Sequence, residues 1–351
     1  MTTGSDWCRG RSVLLTGGCG YIGSHACVEL IDVGCKPVVL DNLSNSSSDS
    51  LAGVREITGA DVPFEMGDIR DRELVEDVLR RYDCAAVVHF AGMKAVGESV
   101  LDPLSYYDNN VNGTAQLLAA MRDVGLKRLV FSSSATVYGE PQALPISEEH
   151  PLSATNPYGR TKLVIEGMLR DLHASDEGWK ICILRYFNPA GAHESGFLGE
   201  APTGVPNNLV PYVSQVAAGI RERLRIWGGD YPTPDGTGVR DYIHVMDLVK
   251  GHAHALARID DMDCTAINLG VGRGFSVMDV VHAFEKASGR SIPHEIFERR
   301  PGDVASCYAD PTLAADVLGW KALRSIDDIC CDAWRWQDRC DRAEGRSSAA
   351  P

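Results

Sequence analysis

The first half of the chain alternates short apolar runs with longer amphipathic stretches, and this alternation constrains the fold more than any other feature. Runs of β-branched and apolar residues predict strands at Val13–Thr16, Pro37–Asp41, Phe64–Gly67, Ala86–Phe90, Leu129–Ser132 and Ile181–Tyr186. Apolar residues spaced three and four apart predict helices at Ile22–Val33, Arg72–Tyr82, Asn112–Val124 and Pro157–Ala174. Strands and helices that alternate at this length predict an α/β fold with a doubly wound parallel sheet.

The alternation breaks near residue 187, and the remainder predicts a smaller second lobe. The stretch from Pro189 to Pro211 is rich in proline and glycine and predicts long binding loops. A predicted helix at Val245–Ile259 and a predicted strand at Ala266–Leu269 return to the main sheet. The predicted division assigns residues 1–187, with a return segment near 241–272, to the first domain, and 188–240 with 273–345 to a C-terminal α/β lobe.

Composition and charge exclude several classes of function. The 351 residues carry a net charge of -14, whereas nucleic-acid binders and proteins that bind acidic membranes need a basic surface. The 11 cysteines are scattered without a C-x-x-C pair, which predicts reduced thiols and neither a disulfide framework nor a zinc site. The N-terminus has no apolar segment and no run reaches the length of a membrane span, so we expect a soluble, cytoplasmic protein.

Three glycines follow the first predicted strand and open the first predicted helix. Gly17, Gly20 and Gly23 form a G-x-x-G-x-x-G turn, which lets a backbone approach a pyrophosphate at the helix N-terminus. Such a turn also has purely structural uses, so the residues around it must decide between a structural turn and a dinucleotide-binding one. Asp41 ends the second predicted strand, where a carboxylate accepts hydrogen bonds from an adenosine ribose and repels a 2′-phosphate. The combination favours NAD over NADP, with Asp68 and Ile69 placed to frame the adenine.

A tyrosine and a lysine lie four residues apart on a predicted helix. Tyr158 and Lys162 therefore share one face, and a nearby ammonium favours the phenolate, which predicts a tyrosine base that works near neutral pH. The strand upstream ends in Ser132, Ser133 and Ser134, and a serine hydroxyl beside the base can polarise a substrate oxygen. The alternative for Lys162 is an ordinary solvated helix face, but the glycine turn and the serine strand upstream favour a catalytic pair.

Together, these features resemble the extended short-chain dehydrogenases/reductases and, more narrowly, the UDP-glucose 4-epimerase family. The stretches that carry the resemblance are TGGCGYIGSH, HFAGMKAVGES, YYDNNVNGT, FSSSATVYG, NPYGRTK, LRYFNPAGAH, GVPNNLVPY, DGTGVRDYIHVMDL and RRPGD. They extend over nearly the whole chain, and their lengths exclude coincidence. The resemblance implies a Rossmann-type sheet, a retained NAD, a UDP-hexose substrate, no metal and a homodimer built from helices in the regions 99–124 and 157–174.

The resemblance also implies roles for individual residues. Tyr158 takes the proton from the sugar O4 while the C4 hydride passes to NAD, Lys162 binds the nicotinamide ribose, and Ser134 hydrogen-bonds O4. The residues implied to bind the cofactor are Gly17, Gly20, Tyr21, Ile22, Gly23, Asp41, Asn42, Asn45, Asp68, Ile69, Phe90, Ala91, Gly92, Lys94, Asn109, Ser132, Tyr158, Lys162 and Tyr186. The residues implied to bind the substrate are Ser134, Tyr158, Phe187, Asn188, Asn208, Leu209, Arg225, Trp227, Arg240, Tyr242, Arg300, Asp303 and Cys307.

Some of these assignments have alternatives. Arg240 and Arg300 carry a guanidinium fork that suits the diphosphate, and Asp303 is assigned to the uridine ribose. Asn208 could instead cap the helix that begins near Leu209.

Related activities make different demands on the two positions after Ser134. A nucleotide-sugar 4,6-dehydratase needs an added acid and base there, and a UDP-glucuronate decarboxylase needs a glutamate. Ala135 and Thr136 supply neither, so the sequence argues against both enzymes. A UDP-glucuronate 4-epimerase, a dehydrogenase that releases NADH and a non-catalytic NAD sensor stay as alternatives, although a sensor would be expected to lack Tyr158 or Lys162.

Cys307 bears on the choice of substrate. In this family the position faces the sugar, and a thiol in place of a tyrosine leaves volume near the 2-substituent. The hypothesis is that UDP-GlcNAc and UDP-GalNAc are also interconverted; the alternative is a small buried thiol without a selective role. His252 and His254 suggest a metal site, but no acidic or cysteine ligands accompany them, so packed or solvated histidines are the better interpretation.

Overall fold

The computed structural model describes residues 5–202, 204–300 and 302–345. At its centre lies a seven-stranded sheet in the order β11-β6-β5-β4-β1-β2-β3, with every neighbouring pair parallel. Its strands are β1 (Ser12–Thr16), β2 (Lys36–Asp41), β3 (Phe64–Met66), β4 (Cys84–His89), β5 (Arg128–Ser134), β6 (Lys180–Tyr186) and β11 (Cys264–Leu269). This sheet confirms the predicted fold class.

Helices cover both faces of the sheet because the side chains of its strands alternate between two apolar clusters. Val13 and Leu15 of β1 belong to the cluster under α2 and α10, whereas Leu14 belongs to the cluster under α4, α7 and α8. The helices are α1 (Ser5–Cys8), α2 (Tyr21–Asp32), α3 (Asp49–Thr58), α4 (Arg72–Arg81), α5 (Val96–Leu101), α6 (Pro103–Tyr106), α7 (Gly113–Asp123), α8 (Pro157–Ser175), α9 (Leu209–Ala217), α10 (Val245–Ala257), α11 (Val277–Ser288) and α12 (Ile326–Ala343).

A third apolar cluster, formed by α9, α11 and α12, supports the short strands beyond β6. These strands are β7 (Asn188–Ala190), β8 (Leu224–Trp227), β9 (Val239–Arg240), β10 (Tyr242–His244), β12 (Phe275–Ser276), β13 (His294–Phe297) and β14 (Ser306–Cys307). They pair as β10-β7, β12-β9-β14 and β13-β8. The division of the chain into two domains near residue 187 stays a prediction.

Most predicted elements recur with ends shifted by one to three residues, and one boundary has a structural cause. The predicted helix Asn112–Val124 begins at Gly113, because the preceding residues Tyr107–Asn112 form a wider π-helical segment. The sequence prediction had no strands at β8, β13 or β14 and no helix at α3, α11 or α12. No helix in the described part of the chain is both long enough and apolar enough to cross a membrane.

Candidate active site

The glycine turn lies between β1 and α2, and at Gly17 and Gly23 it leaves no room for a side chain. Gly17 has a φ of 70°, and a Cβ added there would lie 2.7 Å from the backbone nitrogen of Ala91. A Cβ on Gly23 would collide with the carbonyl oxygen of Gly17. The turn thus exposes bare backbone at the N-terminus of α2, which fits the pyrophosphate of a dinucleotide.

Asp41 at the end of β2 is tied directly to this turn. One carboxylate oxygen accepts from the backbone N–H of Cys19 at 3.0 Å, and the other accepts from the N–H of Leu43 and the hydroxyl of Ser46, both at 2.9 Å. The buried carboxylate is therefore fixed beside the exposed backbone, where the ribose hydroxyls of a dinucleotide would lie. Asn45, on the same loop, is exposed.

A second acidic group stands next to Asp41. Asn42 donates to Asp68 at 2.8 Å, and the Arg70 guanidinium beside Asp68 lowers the pKa of that carboxyl to about 2. Ile69 is buried behind it. Asp68 is therefore ionised near neutral pH, in an ion pair with Arg70.

The loop after β4 carries Phe90, Ala91 and Gly92, and it is organised by a residue that the sequence prediction missed. Asn110 is buried; its side chain bonds both backbone groups of Met93, at 2.8 and 3.0 Å, and the hydroxyl of Thr161 at 3.1 Å. The predicted neighbour, Asn109, donates to Asn110 at 2.9 Å. A carboxamide inside the π-helical segment holds the loop against α8.

The predicted catalytic groups converge at the carboxyl ends of β5 and β6. Lys162 is buried, its ammonium donates to the carbonyl of Ser132 at 2.7 Å, and burial lowers its pKa to about 8. Ser134 accepts from the backbone N–H and the hydroxyl of Thr136, at 3.2 and 3.0 Å. The side chain of Ser134 is also close enough to Tyr158 to lower the pKa of its phenol, which brings serine, tyrosine and lysine into one constellation.

The expected electrostatics of Tyr158 need a correction. A lysine-lowered pKa was expected, but burial raises the pKa of Tyr158, and the hydrogen bond from Ser134 offsets only part of that rise. Lys162 does not offset this rise: its ammonium donates to the Ser132 carbonyl and lies 4.9 Å from the ring centre of Phe131, and burial lowers its own pKa to about 8. The protein alone therefore presents Tyr158 as a neutral phenol.

The predicted substrate residues of β7, β9, β10 and β14 are brought together around a buried acid. Arg240 pairs with Cys307, and Tyr242 pairs with Asn188. Between these pairs, the carboxylate of Asp241 accepts the backbone N–H groups of Val271, Gly272 and Ala309 at 2.8, 3.0 and 3.1 Å. Burial raises the pKa of Asp241 to about 6. Sequence patterns could not single out Asp241, because its partners lie far along the chain.

A second group of predicted substrate residues lies around β8. The Arg300 guanidinium lies 5.8 Å above the ring of Trp227, and Arg300 donates to Asp303 at 3.0 Å. Arg225 lies on the same strand as Trp227, with its guanidinium 5.8 Å from the ring of Phe297. Phe187 is buried at the end of β6, in a small apolar cluster that Cys307 also contacts.

Lys94 and Asn208 come from the predicted cofactor and substrate sets, and one unpredicted residue joins them. One carboxylate oxygen of Glu200 accepts from Asn208 at 2.6 Å and from Lys94 at 3.3 Å, while its second oxygen is buried and has no partner among the described residues. The suggested capping role for Asn208 is wrong: it occupies the N-cap position before Leu209, but its side chain makes no capping bond because Glu200 engages it.

Comparison with known proteins gives a consistent picture. The family model described as GDP-mannose 4,6 dehydratase matches residues 14–333. The UDP-glucose 4-epimerase of Bacillus subtilis (strain 168) is 57% identical over 327 residues, 93% of this chain and 96% of that protein. The UDP-glucose 4-epimerase of Homo sapiens is 55% identical over 335 residues, with 93% and 96% covered. This chain belongs to the UDP-glucose 4-epimerase family. The resemblance inferred from its motifs is confirmed.

Solved structures extend the comparison to three dimensions. The UDP-glucose 4-epimerase from Stenotrophomonas maltophila, with bound NAD and formylated UDP-arabinopyranose, has a TM-score of 0.92 at 48% identity and covers 95% of this chain and 99% of that one. The enzyme from Bifidobacterium longum, in complex with NAD+ and UDP, has a TM-score of 0.91 at 51% identity, with 93% and 98% covered. The family model bears the name of a dehydratase, but Ala135 and Thr136 offer no dehydration chemistry, and these relatives are epimerases.

Proposed function

We propose that this protein catalyses the reversible C4 epimerisation of UDP-glucose and UDP-galactose with a tightly bound NAD. The observation that carries the proposal is the constellation of Tyr158, Lys162 and Ser134 beside the glycine turn. It is supported by relatives at 55–57% identity that share the name UDP-glucose 4-epimerase. A UDP-glucuronate 4-epimerase has less support, because none of these relatives carries that name.

The residues present fit NAD. The bare backbone of Gly17 and Gly20 suits the pyrophosphate, Asp41 suits the adenosine ribose, and Lys162 suits the nicotinamide ribose. NAD supplies the hydride acceptor for sugar C4 and later the hydride donor. The remaining work falls to the side chains of the chain itself.

The acid–base step belongs to Tyr158. Its phenolate takes the proton of the sugar O4 as the 4-keto sugar forms, and the resulting phenol returns that proton to O4 when the 4-keto sugar is reduced again. With substrate bound, the Ser134 hydroxyl directs its single hydrogen to O4 and thereby holds that oxygen against Tyr158. Because burial raises the pKa of Tyr158, the phenolate needs a nearby positive charge, and the substrate-bound site has to bring Lys162 or the oxidised cofactor close enough to stabilise it.

The substrate is gripped at one end only. Arg240 and Arg300 carry guanidinium forks suited to the diphosphate, and Asn208, Trp227 and Asp303 are assigned to the uridine and phosphate region. The sugar end meets Ser134, Phe187 and Cys307, of which none is charged: burial raises the pKa of the Cys307 thiol to about 11. A sugar held without ion pairs can turn over while its nucleotide stays bound.

Cys307 also supports a wider substrate range. The thiol contacts the small apolar cluster that contains Phe187 and Tyr138, and its small volume leaves room for an N-acetyl group. We propose that UDP-GlcNAc and UDP-GalNAc are substrates. Cys307→Tyr should abolish turnover of UDP-GalNAc and leave turnover of UDP-galactose within about threefold, since only the added ring obstructs the pocket. Failure of the wild type to convert UDP-GalNAc would refute this extension.

A homodimer is the proposed assembly. Helices α5 and α6 pack against α8 and leave an apolar patch exposed, made of Val100, Leu101, Leu104 and Val164, with Leu101 88% and Leu104 79% exposed. Leu101→Glu combined with Leu104→Glu should shift the sedimenting species from dimer to monomer. The cysteines in the described part of the chain form no disulfide, which supports the proposed cytoplasmic location.

The activity is tested with purified protein and UDP-galactose. Formation of UDP-glucose without accumulation of free NADH is the expected result, together with NAD that copurifies. Free NADH that accumulates in step with substrate consumption would identify a net dehydrogenase instead. Cofactor binding without any conversion of UDP-galactose, UDP-glucose or UDP-glucuronate would favour a sensor.

A further inference from the structure

A row of hydrogen bonds leads from α10 into the catalytic site, and the reaction outlined above does not use it. It begins at His252, whose side chain is fully buried. The imidazole packs against two residues predicted to bind the cofactor, with its centroid 5.3 Å from the ring of Tyr186 and 5.0 Å from the ring of Phe90. His252 therefore supports one wall of the cofactor pocket.

The hydrogen bonds of His252 fix its tautomer. Its Nδ1 lies 3.0 Å from the carbonyl oxygen of Leu248, which can only accept, so Nδ1 carries the hydrogen. Burial lowers the pKa of His252 to about 4, so the ring is neutral near pH 7 and its Nε2 is an acceptor. The hydroxyl of Tyr186 bonds this Nε2, and the phenol therefore donates its only hydrogen to His252.

This arrangement decides what Tyr186 can do inside the site. With its hydrogen directed at His252, the phenol oxygen presents only lone pairs to its other neighbours, among them the side chain of Ser132, which is close enough to lower the pKa of Tyr186. The carbonyl of the same serine accepts from Lys162. Tyr186 is also close enough to Tyr158 for the charge of one to raise the pKa of the other. The site thus holds two tyrosines, Tyr158 and Tyr186, and the phenolic proton of Tyr186 points to His252 and not to the substrate.

We propose that His252 is a positioning residue that locks Tyr186 as a hydrogen-bond acceptor, and thereby keeps the cofactor wall in place and leaves proton exchange with the sugar to Tyr158 alone. The inference rests on the proposed epimerase activity for its kinetic consequence. Its structural consequence, the wall of Tyr186 and Phe90, bears on cofactor retention and can be measured without turnover.

The test is a double-mutant cycle between His252 and Tyr186. His252→Leu removes the acceptor, and His252→Gln keeps an acceptor oxygen near the position of Nε2. His254→Leu is the matched control, because His254 lies on the same helix but is exposed and bonds the carbonyl of Leu318. Each variant is made in the wild-type and Tyr186→Phe backgrounds. The measurements are kcat and KM for UDP-galactose, NAD retained per subunit after gel filtration, and the melting temperature.

His252→Leu should lower kcat about tenfold and retain about threefold less NAD, with KM changed by less than about twofold, as expected when one buried hydrogen bond in a network is lost. His252→Gln should stay within about threefold of wild type, and His254→Leu should match it. In the Tyr186→Phe background, His252→Leu should cause no further loss, because the hydroxyl that it orients is already gone.

An equal loss in both backgrounds would overturn the proposal, since the imidazole would then act by packing alone. A His252→Gln variant as impaired as His252→Leu would overturn it as well. If His252→Leu does not fold, His252→Asn replaces it in the cycle, because its shorter amide cannot reach Tyr186. An inactive wild type would refute the proposed function, and the NAD retained across the cycle would still decide the role of His252.

Discussion

The chemical side and the substrate side of the site are held in different ways. Lys162 and Ser134 are fixed by bonds to Ser132 and Thr136, so their positions are set before anything binds. On the substrate side, Arg300 pairs with Asp303 at a guanidinium that is 55% exposed. Exposed ion pairs of this kind contribute little free energy, so a diphosphate can displace them at low cost. The comparison suggests a preorganised reaction centre and a substrate grip that forms on binding.

The largest effect should come from the preorganised side. Tyr158→Phe removes the hydroxyl that carries the proton, and kcat should fall by about 10²–10⁴, the usual contribution of a general acid–base group. Melting temperature and NAD content should stay close to wild type. Tyr82→Phe is a matched control, because its hydroxyl bonds Glu65 far from the site. A loss of less than about tenfold would remove Tyr158 from the acid–base role.

The substrate side should respond in KM. Arg300→Leu removes a fork from the diphosphate, and KM for UDP-galactose should rise about 10- to 100-fold with kcat changed much less, as for a lost hydrogen bond to a charged group. Arg299→Leu is the neighbouring control, since Arg299 is engaged with Asp230. If Arg300→Leu lowers kcat and leaves KM unchanged, Arg300 acts in the preorganised reaction centre, and the proposed difference between the two sides of the site is wrong.

Burying the Lys162 ammonium should destabilise the folded protein, and the free energy of unfolding should therefore depend on pH. Burial lowers the pKa of Lys162 from 10.5 to about 8. Below pH 8 the buried amine is protonated, so the whole free-energy penalty of burying its charge lowers the stability of the folded state. Between pH 8 and 10.5 the unfolded chain binds more protons, and wild-type stability should rise with pH relative to Lys162→Met.

At pH 7, Lys162→Met should be inactive yet more stable by about 1–3 kcal/mol, with the lost bond to Ser132 offsetting part of the gain. Chemical denaturation of the cofactor-free protein at pH 7 and pH 10 measures the difference. Lys180→Met, at an exposed ion pair, is the control and should show no such trend. A Lys162→Met variant that is less stable at pH 7 would contradict this account.

The smallest effect concerns Glu200, which joins the two sides. Glu200→Gln removes the negative charge that holds Asn208 and Lys94 and so weakens its contacts with both. Affinity for UDP should rise by about two- to fivefold, and stability should change by less than about 1 kcal/mol. Calorimetric titration with UDP gives the first value and thermal unfolding the second. Weaker UDP binding would show that Glu200 holds Asn208 in its working position.

The elements that could be predicted share a local cause. A strand that is buried on both faces of a parallel sheet is a continuous apolar run, which can be recognised in the sequence without knowing its neighbouring strands. For this reason β1, β2 and β6 could be predicted from their own residues. The strands β9 and β14 contain two residues each, and neither has a periodicity. These strands form only where β9 pairs with both β12 and β14 in the folded protein. The pattern of a single sequence does not record such pairing between distant segments.

The residues of the site divide in the same way. Tyr158, Lys162 and the glycine turn have roles that depend on spacing within one helix or one turn, and spacing is written in the sequence. Glu200, Asp241 and His252 act through partners contributed by distant segments, and a lone acid or histidine carries no local signal. The expected lowering of the Tyr158 pKa was wrong for the same reason: the desolvation that raises this pKa is a property of the packed core.

By itself, the sequence determined the doubly wound sheet and, through its motifs, the family, and it predicts Tyr158 and Lys162 as the acid–base pair, because hydrophobic periodicity and short-range spacing are properties of the sequence alone. The tertiary structure decided which polar groups have hydrogen-bond partners within the protein. Lys162 donates to a backbone carbonyl, Asn208 donates to Glu200, and Tyr186 donates its proton to His252. Those outcomes depend on burial and on distances between segments far apart in the chain, which arise only when the chain folds.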